Sequence, residues 1–472
     1  MRVRSYDLLL LSLALLVLLI IGALLPLTPQ DYWWYLRLGQ DIATTGAVPR
    51  VDSYSLTQAG TPYHFHSWLA ALALWAAHSA GGTAATFLLR LIVIALAYGI
   101  LWFILRKAGA GPRTAAVLAL AAGLAGSSNW SIRPQLLALP LFAAALLVLW
   151  NWEMRNARLL WLLPVISLLW VNLHGSFPLL FVLLIPALIF GSGDRRPLVW
   201  ASALAVVALL INPRGIAAVQ YVGAMLSSPS NRFSNEWLPA VNRGWQANLF
   251  FAWFLLIAPT AALSKQRLSR LEWAWLLLFG WLGLYAARYG IWCLFILALV
   301  TARLASAWTE RAFERPVKQE RPAINLAAAG LLLLLPIGLL PGVRERWWIS
   351  APAAFHDVTP VAAVNWLAAH PELEGPLWSD FSQSSYLIFA LPSRPVWIDP
   401  RFELYPPAQW QRYQAIAGAA PEWQSLLDEE GINLVLLSTG GEPRLIRAME
   451  RSDTWDKYFQ DASGVIFGRH TE

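Results

Sequence analysis

The chain has 472 residues, 57% of them hydrophobic and only 13% charged, with 27 Trp and a formal charge of +7. A soluble globular chain carries roughly a quarter charged residues, so this composition excludes an ordinary soluble enzyme and a disordered protein alike. One cysteine, Cys293, excludes a disulfide scaffold and a Cys-rich metal site; in its apolar run it reads as a small core residue. In so apolar a chain the basic excess speaks first to membrane orientation. The class that remains is an integral membrane protein.

Residues 1–342 hold 25 basic and 11 acidic groups, whereas residues 343–472 hold 10 and 17. The division expected is a transmembrane domain over 1–342, its first outer loop (28–82) carrying interfacial helices, and a soluble extracytoplasmic domain over 343–472. That last stretch has no run long enough to span and is large enough to bury its own core. In chain order, spans of roughly 20 apolar residues or somewhat fewer are expected at 8–27, 83–105, 114–130, 135–152, 158–173, 176–191, 197–212, 246–264, 271–287, 289–305 and 323–341, which makes about eleven. The first follows Met1–Asp7 without a small-residue cleavage site and reads as a retained anchor. Residues 67–80 are too short to cross and suit an interfacial helix.

With Arg2 and Arg4 inside, alternate connections carry the basic excess: Arg106, Lys107 and Arg113; Arg155 and Arg158; Arg195 and Arg196; Lys265, Arg267 and Arg270; and the run from Arg303 to Arg321. The amino terminus is then cytoplasmic and the carboxy-terminal domain extracytoplasmic. Asp7, Glu153, Asp194, Glu272, Glu310, Glu314 and Glu320 fall on the inner side, and only Asp31, Asp41, Asp52 and Glu236 face outward. His64, His66, Asn129, Arg133, Gln135, Asn172, His174, Asn212, Arg214 and Arg288 cluster at the outer ends too, with Arg90 about a third of the way down its span. Polar groups at membrane depth usually face a cavity. The outer face reads as a site.

Asp31 stands just beyond the first span and opens an amphipathic helix, with Trp33 and Trp34 at headgroup level; it reads either as a functional acid or as a helix cap. Asp41 reads as a solvated face and Asp52 as a turn residue. His64 and His66 share one face of an extended stretch; a divalent metal held with Asp31 is compatible with that spacing, as is interfacial hydrogen bonding. His174, beside Gly175, reads as a site residue or a structural turn. Arg133 and Arg288 suit a phosphate, which guanidinium binds bidentately, or an ion pair with Asp31 or Glu236. Glu236 lies in the outer loop 213–245, long enough to expect function. No Walker-type loop, Rossmann fingerprint, nucleophile elbow or His-Glu-x-x-His motif occurs. The basic cluster at 303–321 reads as juxtamembrane anchoring, not nucleic-acid binding.

These residues resemble a family. Asp31, then Leu38–Gly39, Ala43, Gly46 and Pro49, a surface helix, and a span with Arg90 resemble the GT-C superfamily, which includes protein O-mannosyltransferases and lipid A aminoarabinose transferases. The likeness extends to bacterial membrane proteins with an Asp-x-Trp-Trp-x-Leu loop (here Asp31 to Leu36), an Arg-Pro-Gln (Arg133 to Gln135), an Asn-x-His-Gly (Asn172 to Gly175) and an outer carboxy-terminal domain. It departs at Tyr32, where mannosyltransferases often carry a second acid. The resemblance implies a GT-C-like polytopic α-helical membrane protein of the bacterial inner membrane and cell envelope. Its implied activity is inverting transfer of a sugar from a polyprenyl-phosphate donor to a lipid, glycan or protein acceptor at the outer face. In that reading Asp31 is the general base, Arg90, Arg133 and Arg288 bind the donor phosphate, and Trp34, His66, His174 and Glu236 bind substrate. The chemistry agrees with the residues: a lipid phosphate is already a good leaving group, so the site needs one carboxylate and several cations.

The outer domain is expected to be α/β or α+β, with strands at 376–379, 394–399, 432–438 and 464–469 and helices near 359–370, 407–417, 422–430 and 442–452. Asp399, Arg401 and Glu403 form its most charged turn, read as a loop-holding ion pair or an acceptor contact. The competing readings are a non-catalytic GT-C-like subunit or lipid-sugar transporter, and a polar-solute transporter, which the lack of an evident inverted repeat weakens.

Overall fold

The computed structural model describes residues 3–312 and 320–470. The basic run from Arg303 to Arg321 is thus described in part, and Arg2, Glu314 and the side chain of Glu310 lie outside the described residues. The chain divides into two compact units. One comprises Met1–Leu25, Ala80–Val219 and Asn235–Ala351; the other comprises Pro26–Ser79, Gln220–Ser234 and Pro352–Glu472. The division differs from a simple cut at residue 342. The first outer loop belongs with the carboxy-terminal region, because its backbone bonds there: Leu27 N donates to Ala354 O at 2.8 Å, Leu56 N donates to Val396 O at 2.7 Å and Val396 N donates to Tyr54 O at 3.1 Å.

The first unit is helical. Each of the eleven apolar segments folds as helix, and among the described residues six helices are long and apolar enough to cross a membrane: Ser5–Leu24, Trp68–Lys107, Pro134–Glu153, Trp245–Leu263, Ala287–Ser306 and Pro322–Leu339. The other five, Pro112–Gly126, Leu162–Leu173, Pro178–Phe190, Arg195–Ala208 and Arg270–Tyr285, have 12 to 16 residues. At 1.5 Å per residue they reach about 18–24 Å, short of the roughly 30 Å hydrocarbon core. Local chemistry sets their ends. Prolines open four helices at their first turn, at Pro112, Pro134, Pro178 and Pro322, where the missing N–H costs nothing. Ser269 and Glu272 form a reciprocal cap on Arg270–Tyr285, and that Glu272 also pairs with Arg303 at 3.0 Å. The helix Trp68–Lys107 breaks at Gly81–Gly82, Gly82 standing at φ +58. The break separates the expected interfacial helix from the expected span.

The second unit carries a four-stranded sheet, β1 (Leu377–Ser379), β2 (Leu434–Ser438), β3 (Trp455–Gln460) and β4 (Gly464–Arg469), in the order β1-β2-β4-β3. The first pair is parallel and the other two are antiparallel. Three of the four expected strands form. Residues 394–399 do not: only Val396 makes isolated bridges, to Ser55 and Leu377, because Pro395 and Pro400 interrupt the ladder donors. β3 is not among the expected strands, as its apolar residues alternate weakly among charges. Nor is the helix Phe381–Ala390 expected; its serine-rich start is stabilised by the Asp380 side chain accepting from Ser382 N and Gln383 N. Trp378, Trp397, Tyr405, Trp410 and Tyr413 form an aromatic core against these elements. The helix Tyr32–Thr45 packs on Phe381–Ala390, with Trp33 ring centroids 4.9 Å from Tyr386 and 5.3 Å from Phe389.

Candidate functional site

Asp31 occupies the position before helix Tyr32–Thr45, yet its side chain makes no capping bond. Its Oδ1 instead accepts from Trp34 Nε1 at 3.4 Å. The capping alternative for this carboxylate therefore fails on geometry. The glycines of the same motif have structural duties. A Cβ on Gly39 would lie 2.1 Å from Ala71 O, so the residue is needed for close packing of the helices beginning at Tyr32 and Trp68. Gly46 ends the first of them at φ +69, its N–H donating to Ile42 O. Tyr32, at the place of the absent second acid, is buried and hydrogen-bonded to His78 Nδ1 at 3.2 Å.

Trp34 is held from several sides. Its backbone N–H donates to Ser385 Oγ at 3.1 Å, its ring stacks on Tyr35 with centroids 3.7 Å apart, and the Arg401 guanidinium lies 5.8 Å from its ring centre. The same guanidinium stands 5.3 Å from Tyr54 and 5.1 Å from Tyr63. Arg401 is fully buried and grips Asp399 through Nε (2.9 Å) and Nη2 (2.6 Å), and Asp52 through Nη1 (2.6 Å). Tyr405 OH also donates to Asp399, at 2.5 Å. Despite burial, the two carboxylates hold Arg401 above its ordinary pKa. Asp52 is therefore a buried partner of Arg401 rather than a turn residue alone, and its Oδ2 still takes the turn bonds from Ser55 N and Oγ. The sequence marks Asp399, Arg401 and Glu403 as a charged turn but gives no means of pairing them with a loop some 350 residues away.

Beyond Tyr63 lies a further carboxylate. Glu403 Oε1 accepts from Tyr63 OH at 2.7 Å and from Tyr221 OH. Burial first, then the Glu403 charge, push both tyrosines well above their usual range. The His64 and His66 rings lie 4.9 and 5.2 Å from the Tyr221 ring. Among the described residues no group of three or more His, Cys, Asp and Glu stands close enough to hold a metal, so His64, His66 and Asp31 are not gathered as ligands. A cavity of about 400 Å³ lined by Leu56, Leu367, Leu391 and Arg394 lies in this unit as well, and it contains none of the residues singled out from sequence.

In the helical unit, Arg133 pairs with Glu236, realising the ion-pair alternative. The Arg288 guanidinium lies 4.3 Å from the Trp237 ring centre, and Gln135 Nε2 donates to the Arg288 carbonyl at 3.2 Å. Burial would raise the Glu236 carboxyl, but the charges of Arg133 and Arg288 outweigh it and hold it below the usual value. Two cations thus act on one carboxylate. His174 Nδ1 accepts from Ser176 N at 3.2 Å and lies 2.7 Å from Ser176 Oγ. Trp170 Nε1 also donates to that hydroxyl. Arg90 is different. Fully buried, it donates from Nη1 to Gly22 O and Leu25 O at 2.8 and 2.6 Å, clamping the carbonyl end of helix Ser5–Leu24. Arg344, which no sequence signal singles out, does the same at Ala23 O. Cations suit that end of a helix dipole, so the expectation of Arg90 as a phosphate ligand meets a helix-end contact set.

No protein-family model and no curated protein matches the sequence. Solved structures do match in fold. Over 98% of this chain and 74% of its own, the oligosaccharyltransferase AglB of Archaeoglobus fulgidus, solved with an inhibitory peptide and a dolichol-phosphate, is similar at TM-score 0.57 and 12% identity. The arabinofuranosyltransferase AftD from Mycobacteria is similar at 0.59 and 16%; 98% of this chain is covered, spanning 40% of that larger protein. ArnT from Cupriavidus metallidurans, bound to undecaprenyl phosphate, is similar at 0.53 and 14%, over 97% of each chain. Such identities speak to fold and not to substrate. The likeness is one of fold, which this chain shares with these three proteins.

Proposed function

We propose that this protein is an inverting glycosyltransferase that moves a sugar from a polyprenyl-phosphate donor to a hydroxyl-bearing acceptor at the outer face of the bacterial inner membrane. The observation that carries this reading is likeness in fold, over nearly the whole chain, to transferases of which two were solved with a polyprenyl phosphate. It is supported by Asp31, a half-buried carboxylate at a helix start that its side chain does not cap. In the reaction the acceptor oxygen bonds to the anomeric carbon as the carbon–oxygen bond to phosphate breaks. The acceptor proton passes to Asp31, and the polyprenyl phosphate leaves as an anion. A single displacement inverts the anomeric centre. Arg133 and Arg288, whose charges act on Glu236, suit the leaving phosphate, while Trp34, His66, His174 and Glu236 are proposed to line the substrate.

The test is transfer by the purified protein in lipid nanodiscs, supplied with radiolabelled undecaprenyl-phosphate sugars and an envelope extract as acceptor. Asp31→Asn is expected to lower turnover by at least roughly 10²-fold, the lower end for losing a general base. Its thermal midpoint and its retention of undecaprenyl phosphate should be unchanged. Near-normal transfer by Asp31→Asn would remove the base. Retention of the lipid without turnover of any donor by the unaltered protein would favour a non-catalytic subunit or lipid-sugar transporter.

A further inference from the structure

We infer that Arg401, from the carboxy-terminal region, is a positioning residue for Asp31 and acts through Trp34. The inference rests on Asp31 being the base. The geometry is a short relay inside one compact unit. The Asp31 carboxylate is held by the indole N–H of Trp34. That indole is pinned by Tyr35 on a ring face, by Ser385 at its backbone and by the guanidinium of Arg401. Arg401 in turn has no freedom to drift. Asp399 grips it bidentately, Asp52 takes its remaining arm, and Tyr54 and Tyr63 flank it. A planar guanidinium held this way presents a fixed face, which an ammonium on a flexible stem does not. The result is a carboxylate whose orientation is set by a residue 370 positions later in the chain, and a use for the charged turn that the proposed reaction leaves without one.

A donor to a carboxylate stabilises its charged form, so loss of the indole N–H should show in how Asp31 ionises. Arg37 and Asp41, on the helix that Asp31 precedes, pair with each other at 2.9 Å, and Asp52 and Asp399 hold Arg401. All of them persist in a Trp34→Phe variant, which keeps a ring for the guanidinium and removes only the N–H.

Dicyclohexylcarbodiimide adds to protonated carboxyls, so the rate of Asp31 modification against pH, read by peptide mass spectrometry on the full-length protein, reports when this side chain ionises. In Trp34→Phe the midpoint is expected to rise by about half a pH unit to one unit. Arg401→Lys should move it the same way, and the double variant should move it no further than the larger single change, the mark of residues acting in series. A lowered thermal midpoint with no shift in the Asp31 midpoint in Trp34→Phe would overturn the inference and leave Arg401 a structural ion pair. If Arg401→Lys does not fold, Trp34→Phe alone decides. The measurement uses no donor and no turnover. A shift in a protein that transfers no sugar would therefore keep the relay and sink the enzyme reading, and an active protein without the shift would do the reverse.

Discussion

Among single residues, Glu442 has the clearest consequence outside the candidate site. It is buried, and its Oε2 accepts from Ser438 N at 3.1 Å. Burial first, then the adjacent Asp380 carboxylate, push its pKa from an ordinary 4.5 up to about 10. Asp380 Oδ1 accepts from Ser382 N and Gln383 N, and its Oδ2 accepts from Tyr413 OH at 3.0 Å. Glu442 therefore keeps its proton and donates it to Asp380. The sign follows from counting protons. Between about 4.5 and 10 the unfolded chain has released this proton and the folded chain retains it, so stability falls as pH rises through that window. Glu442→Gln cannot titrate and still offers an N–H to Asp380. Its thermal midpoint should change less than the unaltered protein's between about pH 6 and 9, and it should be the more stable of the two at the upper end. Parallel pH dependences for both proteins would place the proton elsewhere.

Packing at the level of whole elements explains why the sequence motif around Asp31 looks as it does. Helix Tyr32–Thr45 crosses the helix starting at Trp68 so closely that Gly39 faces a backbone carbonyl. Gly39→Ala must separate two helices rather than displace a flexible side chain, and overpacking of this kind costs typically about 1–3 kcal/mol or more. The expected result is a clear fall in thermal midpoint and in yield. An alanine variant as stable as the parent would show that the helices can part without cost. At Gly46, which stands at φ +69, an added Cβ would meet nothing within 4 Å, so Gly46→Ala meets only backbone strain and should cost less than Gly39→Ala. Ranking the two by thermal denaturation separates steric from conformational demand. The motif thus contains structural and chemical parts. Its glycines serve packing and helix ending, whereas its aspartate has no capping bond to explain it.

For the molecule as a whole, what is legible in the sequence is whatever local patterning carries. All eleven apolar segments fold as helix, and three of four expected strands form. Long-range pairing is not legible: neither Arg401 with Asp52 nor Arg133 with Glu236 leaves a mark in periodicity or spacing, although the second is among the pairings that charge alone suggests. Helix length is not legible either, because turns such as Gly191–Gly193, packed against the Trp152 ring, end apolar runs before they reach spanning length. Orientation, however, follows from charge, since cytoplasmic connections collect Lys and Arg. Helix Trp245–Leu263 is long and apolar enough to cross. It is followed closely by Lys265, Arg267 and Arg270, whereas only Arg232 and Arg243 lie in the roughly fifteen residues before it, so its carboxy-terminal end should be cytoplasmic. Asn242 and Gln266 are exposed at its two ends, and Cys293 is fully buried, so the native chain offers an aqueous thiol reagent no competing exposed cysteine among its described residues. In that background, Asn242→Cys in intact cells should react with a membrane-impermeant maleimide, and Gln266→Cys should react only after the membrane is opened. One helix separates the two positions, so an inverted result has a single meaning: Glu236 and its arginines face the cytoplasm, and an outer-face donor phosphate cannot reach them.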